Sequence, residues 1–256
     1  MQVPAQPVPI SRQSKAGKYA AEEFAKAQQT AHGRLYPSIL TSHYLVLRNR
    51  RIHMQEFFRR SEPGRAILDV GAQYCPYYPL FKDTCGSYTS LDIVDTPIVD
   101  VVCNAEEMSL GDNLFDLVLC TQVLEHCQNP QKIVDECHRV LRPGGTLILT
   151  VPSIFPHHGY PADNWRFMPD GVRHLLRAFA SVEVLGELDL AESLASVNCY
   201  YGHVFLGKVG RLGRILAPGW NLATNLFGRA LSPLLRPFAR SNFNSFTMNL
   251  WAEARK

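Results

Sequence analysis

FDLVLCTQVLEHCQNPQKIVDECHRVLRPGGTLILTV, residues 115–151, decides the fold. Phe115–Cys120 is apolar apart from Asp116, the pattern of a strand buried on both faces. Asn129–Leu141 changes to a helical period, with Ile133, Val134, Cys137, Val140 and Leu141 on one face. Arg142-Pro143-Gly144-Gly145 stops that helix. Thr146–Val151 is a strand again. Strand, helix and strand at this spacing form a βαβ unit, and βαβ units build a parallel sheet.

The same rhythm extends outward. Glu62-Pro63-Gly64 punctuates the chain, and Ala66–Val70 follows it as a short β-rich run. Tyr88–Ile93 reads as the next strand. Before them, Ala20 to Arg60 reads as helical, with breaks near Gly33 and Pro37. Met1–Lys15 has prolines and no apolar run, so it reads as a disordered lead and not as a signal peptide. Beyond residue 151, Pro169–Ala180 reads as a helix starting at a proline, and Val182–Leu188 and Phe246–Ala254 as strands. Tyr200 to Arg240 is Gly/Pro-broken and rich in Leu and Arg. It does not fit the rhythm and reads as an insertion or small cap. The expected division is a lead over 1–15, helices over 16–62, an α/β domain over 63–199 and 241–256, and the insertion over 200–240.

Bulk properties set bounds. The chain has 256 residues, 46% hydrophobic and 19% charged, enough for a core without disulfide or metal staples. A net charge of +3 is too mild to point to nucleic acid. Seven cysteines at irregular spacing, with no CxxC pair, suit reduced thiols and a cytoplasmic chain. No apolar stretch reaches the length of a membrane span.

A strand ending in Asp69-Val70-Gly71, followed by a second strand ending in an acid, is a nucleoside-binding arrangement. Gly71 lets the backbone turn sharply at the carboxyl edge of the sheet. Asp92 stands where a carboxylate accepts hydrogen bonds from both ribose hydroxyls. The turn Gly71-Ala72-Gln73-Tyr74-Cys75-Pro76 has one glycine only. A pyrophosphate needs closer backbone approach, so NAD and FAD are disfavoured. A cofactor without phosphate tolerates side chains at Gln73 and Cys75.

Asp-Val-Gly, Leu-Asp-Ile, Phe-Asp-Leu-Val, Leu-Glu-His and Leu-Arg-Pro-Gly-Gly occur in that order between Ala66 and Val151. This order closely resembles the class I S-adenosylmethionine-dependent methyltransferases, specifically the type 11 methyltransferase domain family, over about a third of the chain. The resemblance implies a Rossmann-like α/β fold, with a mostly parallel seven-stranded sheet and helices on both faces. N-terminal helices and a helical insertion before the last strand would complete it. It implies S-adenosyl-L-methionine as cofactor and methyl transfer as activity. Gly71 and Gln73 would pass the methionine part, with Asp69 near its ammonium. Asp92 and Ile93 would hold the ribose side, and Asn104 and Ala105 the adenine. Cys120 and Gln122 would line the methyl-donor side, with Asp116 structural and His126 directed at the cofactor edge. The family usually has glycines at Gln73 and Cys75 and an Asp at Asn104. These departures keep open a catalytically inactive fold that serves as a binding partner or scaffold.

Pro152–Phe167 follows a parallel strand at its carboxyl end, where such sheets place ligands. It is dense in His, Tyr, Asp, Trp and Arg, and it resembles a Tyr-Pro-x-Asp-x-Trp-Arg-Phe signature of a type 11 subgroup. Read as a substrate lip, it offers His158 or His157 as base, Asp163 as orienter, Arg166 beside it, and Trp165 and Tyr160 as walls. Read as a folded loop, Arg166 pairs with Asp163, and Trp165 and Phe167 plug the core. No metal site is expected, because loop spacing at His157, His158 and Asp163 defines no geometry.

Val204–Arg240 alternates apolar residues with arginine and contains no acid. It suits short amphipathic helices, either a lid whose leucines close the site or a contact with an anionic membrane or lipid-linked substrate. No run typical of base-amino methylation follows Phe115–Cys120, so no nucleic acid is expected. The expected acceptor is an oxygen of a small polar, glycosidic or natural-product molecule.

Overall fold

The computed structural model of the chain describes residues 19, 21–157, 162–239 and 247–256. The quoted stretch folds as read. Phe115–Thr121 is β4, Pro130–Val140 is α3 and Leu141–Pro152 is β5. Phe115, Leu117, Val118 and Leu119 are fully buried, because helices cover both faces of β4. Asn129 caps α3 by accepting from the Lys132 amide, and Pro130 opens the helix without wasting a donor. The Pro143-Gly144-Gly145 turn is absorbed at the head of β5, where the β4–β5 register shifts between Phe115 and Leu117.

The other strands are β1 (Ala66–Val70), β2 (Ser87–Asp92), β3 (Val101–Val102), β6 (Ser181–Gly186) and β7 (Asn249–Arg255). They form one seven-stranded sheet in the order β3-β2-β1-β4-β5-β7-β6. β7 pairs antiparallel with β5 and β6, and the remaining pairs are parallel. The two-residue β3 left no periodic signal in the sequence. The chain runs from β1 outward to β3, then returns to β4 on the other side of β1. The carboxyl ends of β1 and β4 therefore flank the topological switch point.

One face of the sheet packs on α3 and α4 (Pro169–Leu175), through Leu68, Val70, Val118, Val134 and Leu149. The other packs on α1 (Ala21–Leu35) and α2 (Tyr44–Arg60), through Ile67, Leu119, Met54, Phe57 and Trp251. The expected break near Gly33 is absent. α1 continues to Leu35 and the chain breaks at Pro37, since one glycine costs a helix only about 1 kcal/mol. α4 ends at Leu175, short of Ala180. The strands expected over Val182–Leu188 and Phe246–Ala254 run over Ser181–Gly186 and Asn249–Arg255. The 1–15 lead and residues 240–246 lie outside the described residues.

The insertion differs most from expectation. It begins at Leu190, not near 200, and consists of two long helices, α5 (Leu190–Lys208) and α6 (Gly210–Ala239). Pro218 and Pro233 do not break α6. Its packing explains why. Ala217, Asn221, Asn225, Gly228 and Ser232 recur at helical spacing and are buried. The Asn221 amide donates to the Leu40 carbonyl at 2.8 Å, and Asn225 donates to Ile39 and Thr41 at 2.8 and 3.0 Å. At Gly202 of α5, an added Cβ would lie 1.9 Å from the Trp220 indole nitrogen, so only glycine permits that approach.

α2 is pinned to the loop after β6 by a buried ion pair. Arg50 Nε and Nη2 donate to Glu187 Oε1 and Oε2 at 2.7 and 2.9 Å. Removing one partner leaves the other charge buried alone, which costs about 3–5 kcal/mol. Glu187→Ala should lower unfolding free energy by that amount in urea titration. A change below about 1 kcal/mol would show that water reaches Arg50.

Candidate active site

The turn after β1 meets the turn after β4 at the switch point. Gly71 has φ +68°, and a Cβ there would fall 2.3 Å from Val123 Cγ2. Gln73 and Cys75, where glycines were expected, take φ +42° and +51°. The left-handed turn is therefore kept with the side chains present, at about 1–2 kcal/mol per residue. Gln73 directs its Oε1 outward, where it accepts from Arg34 Nη1 at 3.4 Å. The Cys75 thiol is buried, and burial pushes its pKa to about 12.

Asp92 holds this turn. Its Oδ2 accepts from the Gln73 amide at 3.0 Å and its Oδ1 from the Val94 amide at 2.8 Å. Each oxygen keeps a further lone pair for a diol. Beside it, Ile93 and Val94 stand exposed at 67% and 51%, an apolar ledge at the sheet edge. Asn104 uses its side-chain oxygen to accept from the Glu106 amide, and Ala105 is half-buried against the core. Gln122 adopts φ +56° where β4 ends, and its side chain donates to Thr150 Oγ1 at 3.4 Å.

Two placements correct the sequence reading, and a third decides between its two alternatives. Asp69 is buried under the turn, accepting from the Tyr88 hydroxyl at 2.7 Å, and not open to a ligand ammonium. Burial raises its pKa to about 7. Cys120 faces the core beside Cys137 and offers no side chain to the crevice. Asp163 is locked to Arg166, whose Nη2 donates to Oδ2 at 2.6 Å. Arg166 also donates to the Phe155 and Pro156 carbonyls at 2.7 and 3.1 Å, so the pair braces the lip rather than orienting a histidine. Asp116 is structural as expected, taking the Ala66 amide and Arg142.

The lip is stitched to the Leu-Glu-His stretch. The Asn164 amide donates to the Glu125 carbonyl at 2.8 Å. Asn164 Nδ2 and Trp165 Nε1 both donate to the Cys127 carbonyl at 3.0 Å. His126 Nδ1 donates to the Ala162 carbonyl. Phe167 is buried in the core, but Trp165 is 42% exposed and does not plug it. His157 is exposed, and its carbonyl accepts from the Tyr200 hydroxyl. His158 and Tyr160 lie outside the described residues.

Glu125 was missed. It is 1% exposed, and neither carboxyl oxygen has a hydrogen-bond partner among the described residues. His126 Nε2 lies 3.8 Å from its Oε1. Desolvation raises the Glu125 pKa to about 7. The available signal was an acid directly after the apolar pair Val123-Leu124 in the turn that follows β4. An aromatic cluster of His43, Phe155 and Tyr200, with ring centroids 5.9–6.1 Å apart, was also missed, since its members are far apart in sequence.

Residues 68–149 match the family model described as a methyltransferase domain. The human thiol S-methyltransferase TMT1B is 42% identical over 69 residues, covering 27% of this chain and 26% of that protein. A ubiquinone biosynthesis O-methyltransferase of Pseudomonas aeruginosa is 41% identical over 105 residues, covering 34% of this chain and 44% of that one. The chain thus spans less than half the length of both relatives. A SAM-dependent methyltransferase structure from Archaeoglobus fulgidus superposes with a TM-score of 0.52 at 15% identity, covering 83% of this chain and 94% of that one. That likeness is one of fold.

The buried acids have a measurable signature. Between its ordinary pKa of about 4.5 and its folded value of about 7, Glu125 keeps a proton that the unfolded chain has lost. Stability is then highest below the unfolded value and falls as pH rises toward 7. Glu125→Gln should show a smaller drop in Tm between about pH 5 and pH 8 than the wild type. An identical drop in both would mean that Glu125 titrates normally.

Proposed function

We propose, from the premise that the chain is a class I S-adenosylmethionine-dependent methyltransferase, that it moves a methyl group onto an oxygen of a small polar, glycosidic or natural-product acceptor held under the lip formed by residues 152–157 and 162–167. The observation that carries the choice of oxygen is the Glu125–His126 pair. His126 Nδ1 is committed as a donor to the Ala162 carbonyl, which leaves Nε2 as the basic nitrogen, facing the Glu125 carboxyl. A hydroxyl must shed its proton as its oxygen is alkylated, and a positioned base assists that step.

S-adenosyl-L-methionine is the cofactor, and when bound it supplies a methyl group on a sulfonium with a neutral thioether as leaving group. The residues present suit it. The left-handed turn at Gly71, Gln73 and Cys75 gives backbone without crowding, Asp92 offers carboxylate lone pairs to a ribose diol, and Ile93 offers a flat apolar contact to a base. Alignment and exclusion of water fall to the Arg166-braced lip and the His43, Phe155 and Tyr200 rings. His126 takes the acceptor's proton at Nε2, beside the buried Glu125 carboxyl. A catalytically inactive scaffold remains the competing reading. The retained φ values at Gln73 and Cys75 weigh against it, because an idle turn has no reason to keep strained backbone.

Calorimetric titration of the full chain with S-adenosylmethionine and its demethylated product tests the cradle. Binding of both is expected, with Asp92→Ala weakening it at least tenfold, as two amide contacts and the diol contact disappear. No binding by folded protein would overturn the reading. His126→Ala should leave cofactor affinity unchanged and lower kcat by about 10²–10⁴-fold, read by mass spectrometry of methylated product from candidate acceptors. Unchanged kcat would remove the base.

A further inference from the structure

α6 is an amphipathic helix turned inside out. Its buried stripe is small and polar, namely Ala217, Asn221, Asn225, Gly228 and Ser232. Its outer face carries Leu212, Ile215, Leu216, Trp220, Leu226, Phe227 and Leu234, each at least 41% exposed. Leu212, Leu216, Leu226 and Leu234 of the expected lid are exposed rather than packed on the chain. The reason is local: asparagines at 221 and 225 reach three backbone carbonyls of the 39–41 loop, and leucine there would remove those donors. α5 adds Val204 and Phe205 at the same end of the hairpin, with Val209 at the turn. Phe205 and Ile215 are exposed at 68% and 74%.

The charge around this tip has one sign. Lys208, Arg211 and Arg214 are exposed among the apolar residues, and no Asp or Glu occurs from Ser193 to Ala252. A contiguous exposed apolar surface demands a cover. Self-pairing of the tip about a two-fold axis would set these three cations against their own copies. An anionic lipid surface satisfies both features, since its headgroups neutralise the cations while its acyl region accepts Phe205 and Ile215. No helix among the described residues is long and apolar enough to cross a membrane, so the contact would lie in the interface.

We propose that the tip of the α5–α6 hairpin, Val204 to Leu216, docks on an anionic lipid bilayer. The proposal does not depend on the methyl-transfer reading, because docking is measured without cofactor or acceptor. Flotation of the full chain is compared with vesicles of phosphatidylcholine alone and vesicles containing about one-third phosphatidylglycerol. The wild type should float with the anionic vesicles only, and lose binding at high salt. Lys208→Glu/Arg211→Glu/Arg214→Glu should lower partitioning more than tenfold, at about fivefold per cation. Phe205→Ser/Ile215→Ser should lower it at least about tenfold. Circular dichroism confirms that each variant is folded; if the serine variant is not, the charge variant carries the test. A wild type that stays out of the anionic vesicles, or variants that bind like it, would overturn the proposal. So would a wild-type dimer in sedimentation velocity that Ile215→Ser converts to monomer, because the tip would then be covered by a second copy.

Discussion

Two backbone amides, those of Gln73 and Val94, converge on the single carboxylate of Asp92. This contact ties the turn after β1 to the tip of β2, across the edge of the sheet where a ligand would enter. The turn needs the tie. Two of its three left-handed positions are not glycines, and on their own they would relax toward ordinary backbone. Thr96 adds a second clasp by donating to the Gln73 carbonyl at 3.0 Å. With the turn held, Gly71 can press on Val123, and the crevice at the switch point has a fixed floor.

The fold was largely legible because it is written in periodicity. The apolar run of β4, the one-sided helix α3 and the Pro-Gly-Gly stop each have one economical interpretation. Where the local signal was weak, boundaries drifted, as at β6 and β7, or an element vanished, as at the two-residue β3. The α5–α6 hairpin was misread for a different reason. Glycine and proline read locally as breaks, but Gly213 lies inside α6 and marks its close approach to the Leu206 carbonyl of α5, and α6 tolerates its prolines because tertiary hydrogen bonds hold it. Whether a glycine breaks a helix or admits a neighbour depends on what lies opposite it, which is not a local property.

The site was legible in part. Position alone placed Gly71 and Asp92 beside the switch point, where a sheet of this order puts ligands. Partners were legible only in part. Asp163 allows two readings, an orienter of histidine or the partner of Arg166, and the guanidinium three residues away holds it. Asp69 looked open, yet Tyr88 from the neighbouring strand covers it. Cys120 looked like a crevice residue, yet the alternation of β4 turns it to the core. In each case the residue type was read correctly and its burial decided the outcome. Glu125 shows the converse, an unremarked acid made conspicuous by its burial.

β7 lies between β5 and β6, so residues 249–255 fill a slot whose walls are strands about 100 and about 65 positions earlier in the chain. Until that slot is filled, both walls are exposed edges facing one another with no ladder between them. Closing the long loops that bring β7 home must precede the reward of its hydrogen bonds, which makes this a slow step in assembly. The α5–α6 hairpin occupies the interval between β6 and β7. By folding on itself it shortens the span that β7 must cover, and so serves the sheet as a kinetic spacer as well as a surface.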